Sequence, residues 1–350
     1  MKRYIIRTEE GEQFNAASKA RRDAETIAIR RGYEPIVFPG ERSAEGSIGA
    51  MIRLGWNAWR NWHSLACRAE KNSLVLVQYP HYPMKTAVFC RRAMKKARKN
   101  GVRFAALVHD LDSLRGMHGK AARYSDARVL PAFDAVICHN EYMKQYLLEQ
   151  GIPGKKLVVL GLFDYLTEAR EAEAGEGVAV AGNLSAEKSG YIYQLMHQTN
   201  SVLHLYGKGL EKQELPEKVI YHGAYPPEEL PGKLEGCFGL VWDGPVMKDC
   251  TGQQGEYLLY NNPHKLSLYL AAGLPVIAWG KAAVARFVKQ EGIGICVESL
   301  EDLDTAVKNA ADYEGMRRRA AALGRQVREG CFLTEALAET EQRLGEGRET

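Results

Sequence analysis

Asn261-Asn262-Pro263-His264-Lys265-Leu266-Ser267-Leu268-Tyr269-Leu270-Ala271-Ala272-Gly273-Leu274-Pro275-Val276-Ile277 contains a whole helix and the start of a strand. Asn262 is placed to cap the helix, and Pro263 to open it, where the missing N–H is not needed. Gly273 stands where a left-handed residue ends a helix, and Pro275 cannot continue one. The apolar run 275–279 then predicts a strand. A helix that feeds directly into a buried strand is half of a βαβ unit.

Outward from this segment the same alternation runs through the chain. Short apolar runs at 177–181, 202–206, 219–222, 238–242 and 294–297 predict the other strands of the second half. Runs at 4–6, 35–38, 73–78, 103–109, 135–138 and 157–160 predict those of the first half. Helical patterns fall between them, at about 16–32 with Asn15 as N-cap, 47–71, and 85–100, which Gly101 stops. Strands alternating with helices specify an α/β fold with parallel sheets. The charged, apolar-poor stretch 167–177 reads as a linker whose Ala/Glu part favours helix. It divides the chain into an N-terminal domain, 1–168, and a C-terminal domain, 169–350. Each is a Rossmann-like body, and two such bodies facing each other enclose a cleft at their strand ends.

Composition narrows the class. A hydrophobic share of 45% and a charged share of 26% over 350 residues are enough to fill such cores and exclude disorder, collagen and coiled coil. No apolar run approaches the roughly 20 residues of a membrane span, and Met1-Lys2-Arg3-Tyr4 begins no signal peptide. The seven cysteines form no C-x-x-C, which argues against a disulfide framework or a structural zinc site. A cytoplasmic location is expected. The net charge of +4 conceals opposite halves. Residues 1–165 carry 28 basic and 16 acidic side chains (+12), leaving 47 − 28 = 19 basic and 43 − 16 = 27 acidic (−8) for the remainder. A basic half suits anionic partners, or is simply a solvated basic face.

The residues that follow strands are the candidates for chemistry. His264 and Lys265 lie in the first turn of their helix, where a cation opposes the macrodipole unless an anion binds there. A phosphate held by the helix N–H groups and Lys265 removes the conflict; the alternative is a lysine pointing into water. Gly182-Asn183-Leu184-Ser185-Ala186-Glu187-Lys188 follows another strand, either as a ligand-facing turn or as a plain strand-to-helix connection. Tyr206-Gly207, His222-Gly223 and Trp242-Asp243-Gly244 end three further strands, and together suggest a bare rim where a base could lie. In the first half, His109-Asp110 follows a buried strand. Asp110 is either a general base for a hydroxyl or a helix N-cap. Glu141 is a second base candidate that also suits a first helical turn. Gln78-Tyr79-Pro80-His81 ends a neighbouring strand. Trp56, Trp59 and Trp62, spaced i, i+3, i+6 among Arg53, Arg60 and Arg68, suit either a lipid interface or a core or subunit contact. Arg91, Arg92, Lys95, Lys96, Arg98 and Lys99 add a second basic helix. No nucleic-acid-binding motif is present.

These residues, taken together, are similar to a known family. Asn15-Ala16-Ala17-Ser18-Lys19-Ala20-Arg21-Arg22-Asp23, Gln78-Tyr79-Pro80, His109-Asp110…Arg115, Phe163-Asp164-Tyr165-Leu166, Gly182-Asn183-Leu184 and Asn262-Pro263-His264-Lys265 carry the likeness. In this order the chain resembles a bacterial GT-B glycosyltransferase family. That family includes the glucosyltransferase of streptococcal adhesin glycosylation and β-1,6-galactofuranosyltransferases of polysaccharide assembly. The resemblance implies a UDP-sugar donor on the C-terminal domain and a saccharide, glycolipid or glycoprotein acceptor on the N-terminal one. It also implies inverting transfer without a cofactor or bound metal; Asp302-Leu303-Asp304 falls in a surface helix. The 314–343 stretch would cross back to the first domain. Lys265 would stabilise the leaving diphosphate. Gly182, Asn183 and Lys188 would approach the diphosphate or ribose, with Asn262, His264 and Asp243 beside them, and Tyr206, Gly207, His222 and Gly223 would frame the base. Asp110, with His109, would activate the acceptor. A homo-oligomer and a peripheral membrane contact are further expectations. The competing readings are a sugar-nucleotide epimerase, an NAD-dependent dehydrogenase, which the missing G-x-G-x-x-G disfavours, and a non-enzymatic basic adaptor for membranes or nucleic acid.

Overall fold

The computed structural model describes residues 1–8, 16–38, 48–80, 87–115, 126–173 and 175–346. Asn15, Ser47, His81 and Lys85, each used above as a cap, boundary or motif residue, lie outside the described residues. The chain divides into two compact units. Unit 1 comprises Met1–Gln13, Arg21–Gly161 and Leu333–Thr350, and unit 2 comprises Phe14–Ala20 and Leu162–Phe332.

Through unit 1 run β1 (Arg3–Thr8), α1 (Ala16–Arg30), β2 (Glu34–Phe38), α2 (Ile48–Arg68), β3 (Leu74–Tyr79) and α3 (Ala87–Arg98). They are followed by β4 (Arg103–Val108), α4 (Asp126–Val129), β5 (Ala135–Cys138), α5 (Glu141–Glu149) and β6 (Leu157–Val159). The first five residues of α1 group with unit 2. Through unit 2 run β7 (Val178–Asn183), α6 (Ala186–Ser189), α7 (Tyr191–Gln198), β8 (Leu203–Lys208), β9 (Val219–Gly223), β10 (Phe238–Val241) and α8 (Gly252–Glu256). Next come α9 (His264–Ala271), β11 (Val276–Trp279), α10 (Ala285–Glu291), β12 (Gly294–Val297), α11 (Leu303–Lys308), α12 (Tyr313–Glu329) and α13 (Cys331–Glu346).

Each unit is built on one six-stranded sheet. The orders are β2-β1-β3-β4-β5-β6 and β12-β11-β10-β7-β8-β9, and the paired strands run parallel. The central strands are buried on both faces, as in Leu74–Tyr79, which explains their unbroken apolar runs. Helices cover the sheets, and each unit has its own apolar core. In unit 1, Trp62 of α2 is buried and meets Phe38 edge-on at 5.5 Å.

Three local readings need correction. The 167–173 stretch is not helical. Neighbours hold it instead: the Thr167 side-chain Oγ1 donates to Glu228 O, Ala172 N–H donates to Ala272 O, and Ala172 O accepts from Arg317. The linker is thus part of unit 2, with Ala172 in its core. Second, Pro263, not Asn262, is the N-cap residue of α9; its ψ of 134° is extended, and no side chain caps the helix. Third, the 314–343 stretch is two helices, broken at Gly330, which adopts a φ of +88°. From Leu333 onward α13 groups with unit 1. There Glu341 receives Arg3, Arg31 and the Tyr33 hydroxyl at 2.9, 2.9 and 3.0 Å.

The C-terminal end of α9 follows the sequence reading. Gly273 has a φ of +73°. Its N–H donates to Leu270 O at 2.8 Å, and Leu274 N–H donates to Tyr269 O at 2.9 Å, the paired bonds of a Schellman cap.

Candidate active site

In an open parallel sheet, ligands collect beyond the carboxyl ends of strands where the strand order reverses. In unit 2 that reversal lies between β7 and β10. Gly182 closes β7, and Trp242-Asp243 follows β10. Lys265, from the first turn of α9, reaches between them. Its Nζ donates to Trp242 O at 3.0 Å and pairs with Asp243 Oδ1 at 2.8 Å. The two side chains are only 17% and 15% exposed. An ammonium has three donors, so these two contacts orient it and leave one N–H for an incoming group. Trp242 itself is fully buried and contributes only its carbonyl.

The glycines beside this lysine are there for close approach. Gly182 is exposed at a φ of +140°, and a Cβ on it would lie 3.2 Å from Lys265 Cε. Gly207 pairs with it across β7 and β8 at a φ of +141°. A Cβ on Gly207 would stand 1.7 Å from the Gly182 carbonyl oxygen, so no larger residue fits. Beneath them Tyr269, fully buried on α9, accepts the Ala181 N–H at 2.9 Å and ties the helix to the end of β7.

The remaining residues predicted in unit 2 divide. Asn183 is exposed, but its side-chain oxygen accepts from Ser185 N–H at 2.9 Å, so it shapes the turn into α6. Lys188 lies on that short helix. Asn262 is buried ahead of α9. His264 does not join Lys265 as a second cation. Burial, then the Lys19 charge, pushes its pKa down to about 4, and its ring packs 5.0 Å from that of Tyr165. Its Nε2 is covered and has no hydrogen-bond partner among the described residues. Tyr206 is not on the rim. Its ring is buried and stacks on His222 at 4.5 Å, and its hydroxyl accepts from Glu235 N–H. Tyr206 and His222 therefore do not gather with Lys265, although Gly207 and Gly223, which follow them, do stand next to last in β8 and last in β9.

Several of the motif residues meet in unit 2. Lys19, 2% exposed, donates to Leu166 O and lies 5.0 Å from the Tyr165 ring centre. Ser267 Oγ donates to Phe163 O at 2.7 Å. Phe332 N–H donates to Asp164 Oδ1 at 3.2 Å. The 163–166 strip thus connects Lys19 to α9.

In unit 1, His109 and Asp110 follow β4. His109 Nε2 meets Gln78 Oε1 at 2.8 Å. Asp110 pairs with Arg115 at 2.8 Å and keeps 28% of its side chain exposed. It caps no helix, since a turn follows it. Glu141, by contrast, opens α5 behind the Asn140 cap, which places it in a first helical turn. Two carboxylates beside Asp110 were not singled out in the sequence. Asp112 is buried, and its pKa is raised by that burial and by Asp126 and Asp110. Asp126 accepts the Tyr79 hydroxyl at 2.6 Å and Ser113 N–H at 2.9 Å. Asp112 stands two residues from Asp110; Asp126 is brought in by the fold, and only Tyr79 hinted at it.

A family model described as glucosyltransferase 3-like, N-terminal domain, matches residues 2–162, and its C-terminal counterpart matches residues 178–340. The chain belongs to the glucosyltransferase 3-like family. It is a glycosyltransferase. The β-1,6-galactofuranosyltransferase WbbI of Escherichia coli K12 is 35% identical over 246 residues, 68% of this chain and 71% of that one. Glucosyltransferase 3 of Streptococcus gordonii is 30% identical over 58% of this chain and 60% of its own. Among solved structures, Anabaena HepE in complex with UDP superposes with a TM-score of 0.63 at 13% identity, over 98% of this chain and 100% of that one. Sucrose-phosphate synthase of Thermosynechococcus elongatus gives 0.62 at 12%, over 99% and 100%. These likenesses give this glycosyltransferase the GT-B fold.

Proposed function

We propose that this glycosyltransferase moves a hexose from a UDP-sugar held by unit 2 to an acceptor hydroxyl activated on unit 1, by direct inverting displacement that uses no bound metal. The observation that carries the reading is Lys265, held at the strand-order reversal over exposed Gly182 by Asp243 and the Trp242 carbonyl. A fixed cation beside bare backbone suits a diphosphate. The acceptor oxygen bonds to the sugar's anomeric carbon as the bond from that carbon to the β-phosphate oxygen breaks. The electron pair leaves on the diphosphate, beside Lys265, and the hydroxyl proton passes to Asp110. The relatives transfer glucose or galactofuranose by name, and HepE binds UDP.

The test is UDP release from a panel of UDP-hexoses, with and without chelator, beside thermal melting with UDP and with NAD. UDP alone should raise the melting temperature, and one UDP-hexose should turn over despite the chelator. A shift with NAD but not UDP overturns the reading.

Among the described residues, no helix is long and apolar enough to cross a membrane. Peripheral contact has its own support. On α2, Ile52, Trp56 and Trp59 are 67%, 61% and 40% exposed along one stripe, with Arg53 and Arg60 also exposed beside them. α3 packs on α2 and exposes Arg91, Arg92, Lys95 and Lys96, and Lys99 just past its end is exposed too. Exposed indole rings within a basic surface suit the anionic inner face of a membrane, at about 1 kcal/mol per basic side chain near it. Flotation with phosphatidylserine vesicles, lost in Trp56→Glu, tests this. A homo-oligomer that dissociates in the same variant, with no vesicle binding, assigns the face to a second copy instead.

A further inference from the structure

A second group of titratable side chains lies in unit 2, on β8, β9 and the segment before β10. His204 Nε2 lies 3.1 Å from the Glu176 carbonyl oxygen. A carbonyl only accepts, so Nε2 carries the proton and Nδ1 presents a lone pair. That lone pair faces His222 Nε2 at 3.0 Å. Glu235 reaches both rings, with Oε2 3.8 Å from His204 Nδ1 and Oε1 3.8 Å from His222 Nδ1. One ligand atom from each residue can be chosen so that all three lie within 4.8 Å of one another.

We propose that His204 Nδ1, His222 Nε2 and Glu235 Oε2 form a binding site for a zinc-class divalent ion. Bonds of about 2.0–2.2 Å in a tetrahedron set ligand atoms roughly 3.3 Å apart, and the 3.0 and 3.8 Å edges bracket that spacing. Glu235 is 60% exposed and can swing inward to shorten the longer edge. The two rings are fixed: His204 by the Glu176 carbonyl, His222 by its 5° stack on buried Tyr206. Metal-binding histidines orient themselves by donating their outer N–H to an oxygen. Here Glu176 O serves His204, and Glu235 Oε1 stands nearest His222 Nδ1. Without an ion, His222 Nε2–H donates to the His204 Nδ1 lone pair at 3.0 Å; an ion takes the place of that proton, which moves to His222 Nδ1 beside Glu235. A cavity of about 570 Å³ adjoins the three residues; Glu171, Glu173 and Glu176 also line it, against Arg170 and Lys233. It leaves a fourth coordination position for water. The ligands come from β8, β9 and the 234–236 segment, so the ion braces these three rather than taking part in transfer.

The test uses the full chain, stripped with chelator and titrated with zinc chloride by calorimetry, then with cobalt(II) followed by visible absorption. One ion per chain should bind, raise the melting temperature and give the intense cobalt bands of a low-coordinate nitrogen and oxygen site. Glu235→Gln should weaken binding about 10-fold or more, and His222→Ala about 100-fold, each with an unchanged circular dichroism spectrum and a cooperative melt. On α2, Cys67 Sγ lies 3.8 Å from His63 Nε2, an exposed pair that also attracts zinc. The Cys67→Ser variant should therefore bind as the parent does. Equal affinity in parent, Glu235→Gln and His222→Ala, or loss only in Cys67→Ser, overturns the site. If His222→Ala fails to fold, Glu235→Gln decides. None of these readings involves UDP.

Discussion

In unit 2 the strand order reverses between β7 and β10, and the groups beyond those strands are bare backbone at Gly182 and an ammonium, Lys265, braced by Asp243. In unit 1 the reversal falls between β1 and β3, and the groups gathered near the ends of β3 and β4 are Gln78, Tyr79, His109 and the carboxylates Asp110, Asp112 and Asp126. The two units share an architecture and differ in the charge set at the strand ends. A cation over glycine suits a leaving diphosphate. A carboxylate whose pKa is raised by burial and by neighbouring carboxylates, as at Asp112, suits taking up a proton. The pattern opposes overall charge, since the basic half carries the carboxylates and the acidic half the lysine. The local arrangement at the strand ends, rather than net charge, assigns the roles.

The largest effect should come from the carboxylate side. Asp110→Asn should lower transfer about 10²–10⁴-fold and leave the UDP-induced melting shift intact. Asp112→Asn separates the two carboxylates. A full loss there, with Asp110→Asn active, would move the base two residues along and break the comparison at its unit 1 end. Next comes the cation. Lys265→Ala should weaken UDP binding about 10–100-fold, the range of a lost charge-assisted hydrogen bond, measured by calorimetry. Unchanged affinity would leave unit 2 without its anion site.

A smaller test concerns His264, which stands beside Lys265 and which the resemblance places beside the diphosphate. Its folded pKa, about 4, lies below the roughly 6.5 of an unfolded histidine. The unfolded chain therefore binds this proton more readily. The stability contributed by the neutral ring is complete above about pH 6.5 and declines as pH falls toward 4. His264→Gln should flatten that part of the stability profile in urea melts. Ring nitrogen shifts by NMR should show His264 neutral at pH 6, and a midpoint near 6.5 would restore it as a cation.

The sequence made the architecture legible because central parallel strands buried on both faces read as continuous apolar runs; the edge strands β2 and β9, partly exposed, overlap shorter runs. The glycine after α9 was equally legible, since few other residues tolerate its φ. The opening of α9 was not. Pro263 suits both N1 and N-cap positions, and only its ψ distinguishes them. The 167–173 stretch misled because Ala and Glu favour helix locally, while the backbone bonds that hold it extended come from residues distant in sequence. Tyr206 misled for a similar reason: a strand's last aromatic can face the rim or the core, and the β9 bulge beside it set its partner as His222. Asp126 and His204 could not be read at all, because their partners lie 47 and 18 residues away.

Asp304 offers the smallest test, and a control away from the strand-end sites. Its sequence neighbourhood, Asp302-Leu303-Asp304, has the spacing of a metal-binding D-x-D, yet its carboxylate is occupied within the protein. It accepts from Thr199 Oγ1 at 2.6 Å, Asn200 N–H at 2.7 Å, and Ser201 Oγ and N–H at 2.7 and 3.0 Å. Burial raises its pKa, but these bonds outweigh it, and the net shift is downward. The stabilisation is thus present above the unfolded value of about 3.9 and lost as pH falls through the lower folded one. Asp304→Asn should cost about 1–2 kcal/mol at pH 7, seen as a lower urea midpoint, and the difference from the parent should shrink below about pH 4. UDP binding and turnover should not change. If Asp304→Asn instead removed activity that manganese restored, the D-x-D spacing would signal a metal after all, and transfer by Lys265 without a bound metal would fail with it.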